Sequence, residues 1–186
     1  FYFTFIALYV IKLSGASLPC QQMVIPCYEN PSDTNAWNSL TSGIPGYLIQ
    51  NPDSGPGKSK DEAWASIVTK AQAAGTNVVG YVYTHYGARA ASEAESDIDK
   101  YYEWYGVNGI FFDEASSASN EISYYQGLYK YVKGKSSKSK VIINPGDVPD
   151  KGYDNGCADI IVAFESSVSA YSKWNPSWTN SSSINV

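Results

Sequence analysis

Apolar, strand-like runs alternate with amphipathic, helix-like runs along almost the whole chain, and that alternation points to an α/β fold with a parallel sheet. The pattern places strands near Met23–Cys27, Gly46–Asn51, Asn77–Tyr83, Asn108–Asp113, Lys140–Asn144 and Asp159–Glu165. Three successive starts, Gly46, Asn77 and Asn108, lie about 31 residues apart, the length of one strand–helix–strand step. Between strands, Ser59 and Glu62 are spaced as a capping box ahead of Trp64, Ile67, Val68, Ala71 and Ala74 on one helical face. Gly75 follows where a left-handed C-terminal cap belongs. Ser92 and Glu95 open a second helix whose apolar face is Ile98, Tyr101, Tyr102 and Tyr105. A third carries Ile122, Tyr125, Tyr129 and Val132 before Gly134. Each stripe is expected to pack against the sheet.

The strand ends collect the chemically active residues. The run Gly106-Val107-Asn108-Gly109-Ile110-Phe111-Phe112-Asp113-Glu114 reads as a buried strand that finishes in two adjacent carboxylates. An unpaired buried charge is costly, so acids placed where such a strand surfaces need a specific reason. Polar clusters also follow the second, third, fifth and sixth strands, at Asn51, Tyr83-Thr84-His85-Tyr86, Asn144 and Glu165. Polar groups at one end of successive parallel strands match the mouth of a (β/α)8 TIM-type barrel. Six strands do not close one and the tail from Trp174 offers no seventh, so the sheet is either open and doubly wound or a fragment of such a barrel. The expectation is one domain, residues 20–186, that covers about six of the eight strand–helix units.

Composition narrows the partner. A net charge of −5 argues against nucleic acid and anionic membranes. Sixteen tyrosines and five tryptophans supply flat apolar faces, many of them with a hydroxyl, which suit stacking on sugar rings. With a single histidine, three cysteines (Cys20, Cys27, Cys157) and no C-x-x-C pair, no metal or other cofactor is expected and no disulfide pairing follows. The apolar run Phe1–Ile11, followed by Ser14 and Ala16 at signal-peptidase spacing, reads as the tail of a secretion signal over residues 1–16. Without it no membrane association is expected, and the sequon Asn180-Ser181-Ser182 fits a secreted, extracellular chain.

Six ordered motifs then carry a family resemblance. They are Val24-Ile25-Pro26-x-Tyr28-x-x-Pro31, Asn51-Pro52-x-Ser54-Gly55-Pro56-Gly57, Gly80-Tyr81-Val82-x-Thr84-x-Tyr86-Gly87, Gly109-Ile110-Phe111-Phe112-Asp113-Glu114, Asn144-Pro145-Gly146 and Ala163-Phe164-Glu165-Ser166. Together they resemble the spherulation-specific family 4, or spherulin-4, proteins of fungi, slime moulds and bacteria. The resemblance implies a (β/α)8 barrel. It also implies kinship with a fungal glycoside hydrolase that cleaves α-1,4-linked N-acetylgalactosamine in galactosaminogalactan, a cell-wall and biofilm polysaccharide. The acids tied to activity there fall on Asp113, Glu114 and Glu165. The sequence departs from the family pattern after the sixth motif.

Glycosidic cleavage needs a carboxylic acid to protonate the leaving oxygen and a carboxylate opposite it. Adjacent strand residues face opposite ways, so Asp113 and Glu114 do not both face one centre while the pleat persists. The resemblance therefore favours Asp113 as nucleophile or charge stabiliser and Glu165 as acid/base, with Glu114 orienting substrate or neighbouring groups. Tyr28, Asn51, Tyr83, Tyr86 and Asn144 are the candidate sugar contacts. His85 and Arg89 stay open between site and structural roles. The expected molecule is a secreted, cell-wall-associated monomer acting on a polysaccharide. Two other readings stand beside it: a non-catalytic polysaccharide-binding or sporulation-associated surface protein, and an Mg²⁺ enzyme using the strand-end acids.

Overall fold

The computed structural model describes residues 7–12, 23–41, 46–174 and 178. Cys20, the Ser14–Ala16 spacing and the sequon at Asn180 lie outside them. Strands β1 (Ala7–Lys12), β2 (Met23–Cys27), β3 (Gly46–Gln50), β4 (Asn77–Tyr83), β5 (Gly109–Asp113), β6 (Lys140–Ile143) and β7 (Ile160–Ser166) form one sheet. Its order is β1-β7-β6-β5-β4-β3-β2. From β2 to β7 every strand pairs in parallel with the next in sequence. The segment read as the tail of a secretion signal supplies β1, which lies antiparallel to β7 along the far edge.

The helices are α1 (Thr34–Thr41), α2 (Glu62–Ala73), α3 (Ala91–Lys100), α4 (Ile122–Lys135) and α5 (Val168–Tyr171). Two of the expected helix starts are corrected. Asp61, not Ser59, caps α2, its carboxylate accepting from the backbone of Ala63 at 2.8 Å and Trp64 at 3.2 Å. The Ser92–Glu95 box does not form, because α3 starts at Ala91 without a side-chain cap. Beyond α3 the chain widens into a π-helical turn over Tyr101–Tyr105 and stops at Gly106, φ 61°. Gly134 does not end its helix, since α4 runs on to Lys135.

Side-chain alternation divides the apolar core into two layers. Val24, Tyr47, Ile49, Val79, Phe111, Ile142, Ile160 and Val162 form the inner layer. The residues between them, among them Leu48, Val78, Val82, Ile110, Phe112, Val141, Ile143 and Ile161, meet the helices. A sheet buried on both faces explains why its strands read as continuous apolar runs. Cys27 and Cys157 are free and buried in the helix-side layer. Burial, and then the charge of Glu29, pushes the Cys27 thiol up to about 12.

Curvature shows in the electrostatics. Five inter-strand spacings separate β2 from β7, about 24 Å across a flat sheet. Yet Tyr28, one residue past β2, feels the charges of Asp113 on β5 and Glu165 on β7. Only a curled sheet brings those ends together. The result is six parallel strands of a partial TIM-type barrel, not the closed eight-stranded one that the resemblance implies.

Helix α3 is seated through a missing side chain. A Cβ on Gly80 would stand 2.4 Å from the Tyr101 ring. Tyr101 is fully buried there, its hydroxyl donating to the Gln50 carbonyl at 3.2 Å. Gly80→Ala is expected to push the ring off the sheet and destabilise the protein by about 1–3 kcal/mol, measured as a lower urea midpoint. An unchanged midpoint would contradict this packing.

Candidate active site

Four strand ends converge on one line of polar groups. Asp113 closes β5 on the inner face, two residues on from Phe111. One carboxylate oxygen accepts from the Tyr81 hydroxyl at 2.9 Å and the other from the Asn144 amide nitrogen at 2.9 Å. The same Asn144 nitrogen donates to Glu165 Oε2 at 2.8 Å. Its orientation is set by the opposite end of the amide, which accepts from Gly146 N at 3.0 Å. The two bonds share one nitrogen, so those oxygens of Asp113 and Glu165 lie within about 5.7 Å of each other.

Strict alternation would not put Glu165 there. Counting from Val162 on the inner layer, residue 165 falls on the helix side. The β1–β7 register runs Tyr9 to Phe164 and then Val10 to Val162, skipping Ala163. Such a bulge re-aims the side chains beyond it, and Glu165 reaches Asn144.

The backbone breaks between the two adjacent acids. Glu114 has φ 48°, a left-handed conformation uncommon for non-glycine residues. Its carboxylate leaves the Asp113 line and lies 3.7 Å from His85 Nδ1. Thr84, fully buried, holds this corner: its hydroxyl is 3.0 Å from the Asp113 carbonyl, 2.9 Å from that of Glu114 and 2.9 Å from the Tyr125 hydroxyl. Ser116 N in turn donates to Tyr125 at 2.8 Å.

The phenols report the local field. Burial first, then the charge and hydrogen bond of Asp113, hold the Tyr81 hydroxyl well above the ordinary phenol range. It is a neutral donor at any working pH. Tyr28 is also raised, by burial and then by the charges of Asp113 and Glu165, and its ring is exposed.

The other sequence candidates divide. Asn144 is buried at the centre of the acid line. Asn51 Oδ1 accepts from Gly55 N at 2.8 Å and so braces its own turn. The Tyr83 ring lies under the Arg89 guanidinium at 4.3 Å, while Arg89 donates to the Tyr83 carbonyl and pairs with Asp97 at 2.6 Å. Arg89 thus ties the end of β4 to α3. Tyr86 is exposed at the mouth beside His85, the ring centroids 6.4 Å apart. Tyr81 was not among the candidates. Its alternation with Val79 on the inner layer is the signal that points to it.

Among the described residues no group of three or more His, Cys, Asp or Glu side chains is arranged to hold a metal ion. No helix among them is long and apolar enough to cross a membrane.

Known proteins share the chain's sequence pattern and fold. Spherulin-4 of Physarum polycephalum is 38% identical over 174 residues, which make up 90% of this chain and 52% of that protein. The chain therefore spans about half the length of that relative. Sph3 of Aspergillus clavatus, solved in complex with GalNAc, shares the fold with a TM-score of 0.72 at 28% identity, over 82% of this chain and 68% of that one. The profile of the spherulation-specific family 4 matches residues 22–185, and the chain belongs to that family.

Proposed function

We propose that the full-length protein is a secreted glycoside hydrolase that cleaves an N-acetylgalactosamine-containing matrix or cell-wall polysaccharide, with Asp113 and Glu165 as its two carboxylates. The observation that carries this reading is the shared Asn144 nitrogen, which holds the two acids within about 5.7 Å. Retaining glycosidases separate their carboxyls by about 5–5.5 Å and inverting ones by about 6.5–9.5 Å, so the spacing favours retention. The GalNAc complex of the Aspergillus protein supports the sugar class. Extracellular location is part of the same proposal.

The hydrogen bonds divide the labour between the acids. Both oxygens of Asp113 accept from neutral donors, Tyr81 and Asn144, which fix the carboxyl group in place. Glu165 is exposed, and its Oε1 accepts no protein hydrogen bond among the described residues. That oxygen is free to carry a proton toward a leaving group. In the first step an Asp113 oxygen attacks the anomeric carbon, the glycosidic C–O bond breaks, and the leaving oxygen takes the proton of Glu165. A glycosyl ester on Asp113 results. In the second step water attacks the same carbon and gives a proton back to Glu165, and Asp113 departs as the carboxylate.

Asp113→Asn and Glu165→Gln, made separately in the full-length protein, are each expected to lower kcat on the polysaccharide by about a hundredfold or more. Reducing-end release reads this, and the first-formed product should keep the substrate's anomeric configuration by NMR. Normal turnover by either variant would remove the assignment. Binding without any release by the unsubstituted protein would instead establish a non-catalytic polysaccharide-binding protein.

Tyr81→Phe deletes one donor to the Asp113 carboxylate without removing the ring. A hydrogen bond to a charged group is worth about 1.5–3 kcal/mol, so kcat/KM is expected to fall by about tenfold or more. An unchanged kcat/KM would show that Tyr81 does not support Asp113.

A further inference from the structure

Three of the four non-glycine residues with left-handed φ among the described residues meet at one point on the mouth: His85 at 49°, Tyr86 at 56° and Glu114 at 48°. Aromatic residues rarely adopt this backbone, which glycine or asparagine takes at little cost. Strain of this kind persists where surrounding bonds over-determine it, and it clusters at functional sites. The bonds are present. Tyr86 N donates to the Glu114 carbonyl at 2.6 Å, Gly87 N and Arg89 N donate to the Thr84 carbonyl, and Ala88 N donates to that of His85.

Neither the backbone nor the core accounts for the side chains carried there. Tyr86 is 62% exposed, and the side chains of His85 and Glu114 are 68% and 42% exposed. The two rings are tilted by 54° and form an open corner. His85 Nδ1 stands 3.7 Å from Glu114 Oε2, too far for a direct hydrogen bond and close enough for one polar group to bridge. The corner lies one residue along the chain from Asp113. Unlike Tyr83, whose ring lies under Arg89, Tyr86 has no cation stacked on it among the described residues.

We propose that His85, Tyr86 and Glu114 form a second sugar subsite beside the cleavage point. It takes the next hexosamine unit of the polysaccharide, stacks it on the Tyr86 ring and bonds its hydroxyl or amide N–H through Glu114 and His85. This rests on the glycoside-cleaving reading and adds to it recognition of the chain on one side of the scissile bond. The strained backbone then serves a purpose: it holds two rings and a carboxylate rigidly in solvent, so that little freedom is lost when the sugar docks.

Calorimetry on full-length protein carrying Glu165→Gln, which prevents turnover, tests the subsite with N-acetylgalactosamine and its α-1,4-linked trisaccharide. Asparagine suits the backbone, so Tyr86→Asn and His85→Asn remove the rings while relieving strain instead of adding it. Each is expected to weaken trisaccharide binding by about tenfold and monosaccharide binding much less. Tyr86→Trp, which keeps an aromatic face, should restore most of the trisaccharide affinity. Equal losses on both sugars, or no loss on the trisaccharide from either substitution, would overturn the subsite. If the Glu165→Gln protein itself binds neither sugar, the glycoside-cleaving reading falls, and the subsite with it.

Discussion

One side-chain amide joins the two acids proposed for catalysis. Asn144 supplies a single nitrogen to Asp113 and Glu165, and its oxygen is anchored on Gly146 N. Two carboxylates this close repel when both are ionised, and each costs free energy to withdraw from water. A shared donor offsets part of both terms and fixes the spacing between the acids. It is neutral, so it does so without quenching either charge as an arginine would. Asn144 itself is placed by the sheet: its N–H donates to the Phe112 carbonyl at 2.8 Å and its carbonyl accepts from Ala115 N at 3.0 Å.

The second constraint is the corner between Asp113 and Glu114. Two adjacent acids in a continued strand would face the inner layer and the helices, and the second would be buried among apolar groups. A left-handed residue at Glu114 ends the pleat and turns that carboxylate outward to His85. The Asp113 and Glu114 carbonyls at the break accept from Thr84 N at 2.9 Å and from Tyr86 N at 2.6 Å. Thr84 meets both with one hydroxyl and passes the connection to Tyr125. The site thus depends on a buried threonine that makes no contact with the Asp113–Asn144–Glu165 line through its own side chain except at the Asp113 backbone.

The six parallel strands were legible in the sequence to within a residue or two at each end, because a sheet buried on both faces leaves uninterrupted apolar runs between glycine and polar punctuation. Helix starts were less so. Ser59, Asp61 and Ser92 are all capping residues by type, and the local sequence does not say which carboxylate or hydroxyl meets the free N–H groups. Alternation predicted that Asp113 and Glu114 would part, and it also points to Tyr81 from Val79. It fails for Glu165, because the irregularity at Ala163 belongs to the pairing of two strands and leaves no mark on either one alone. Gln50 is the opposite case. It ends β3 as the other polar residues end theirs, yet it faces the helices, buried beside Trp37 and Trp64 with neither amide atom hydrogen-bonded. Position at a strand end is therefore not enough. The face decides.

Curvature adds what the acid line lacks. Tyr81, Asp113, Asn144 and Glu165 come from four adjacent strands, β4 to β7, and their bonds require only local sheet geometry. A flat sheet would keep that line and leave it open to water. Tyr28 enters from β2, beyond β3, and its coupling to both Asp113 and Glu165 shows the sheet closing around them. The acid line and its enclosure thus depend on different parts of the fold. Disturbing the β2 edge should displace Tyr28 while leaving the Asp113–Asn144–Glu165 bridge intact. Disturbing the turn at Gly146 removes the anchor that orients Asn144, and with it the spacing between the two acids.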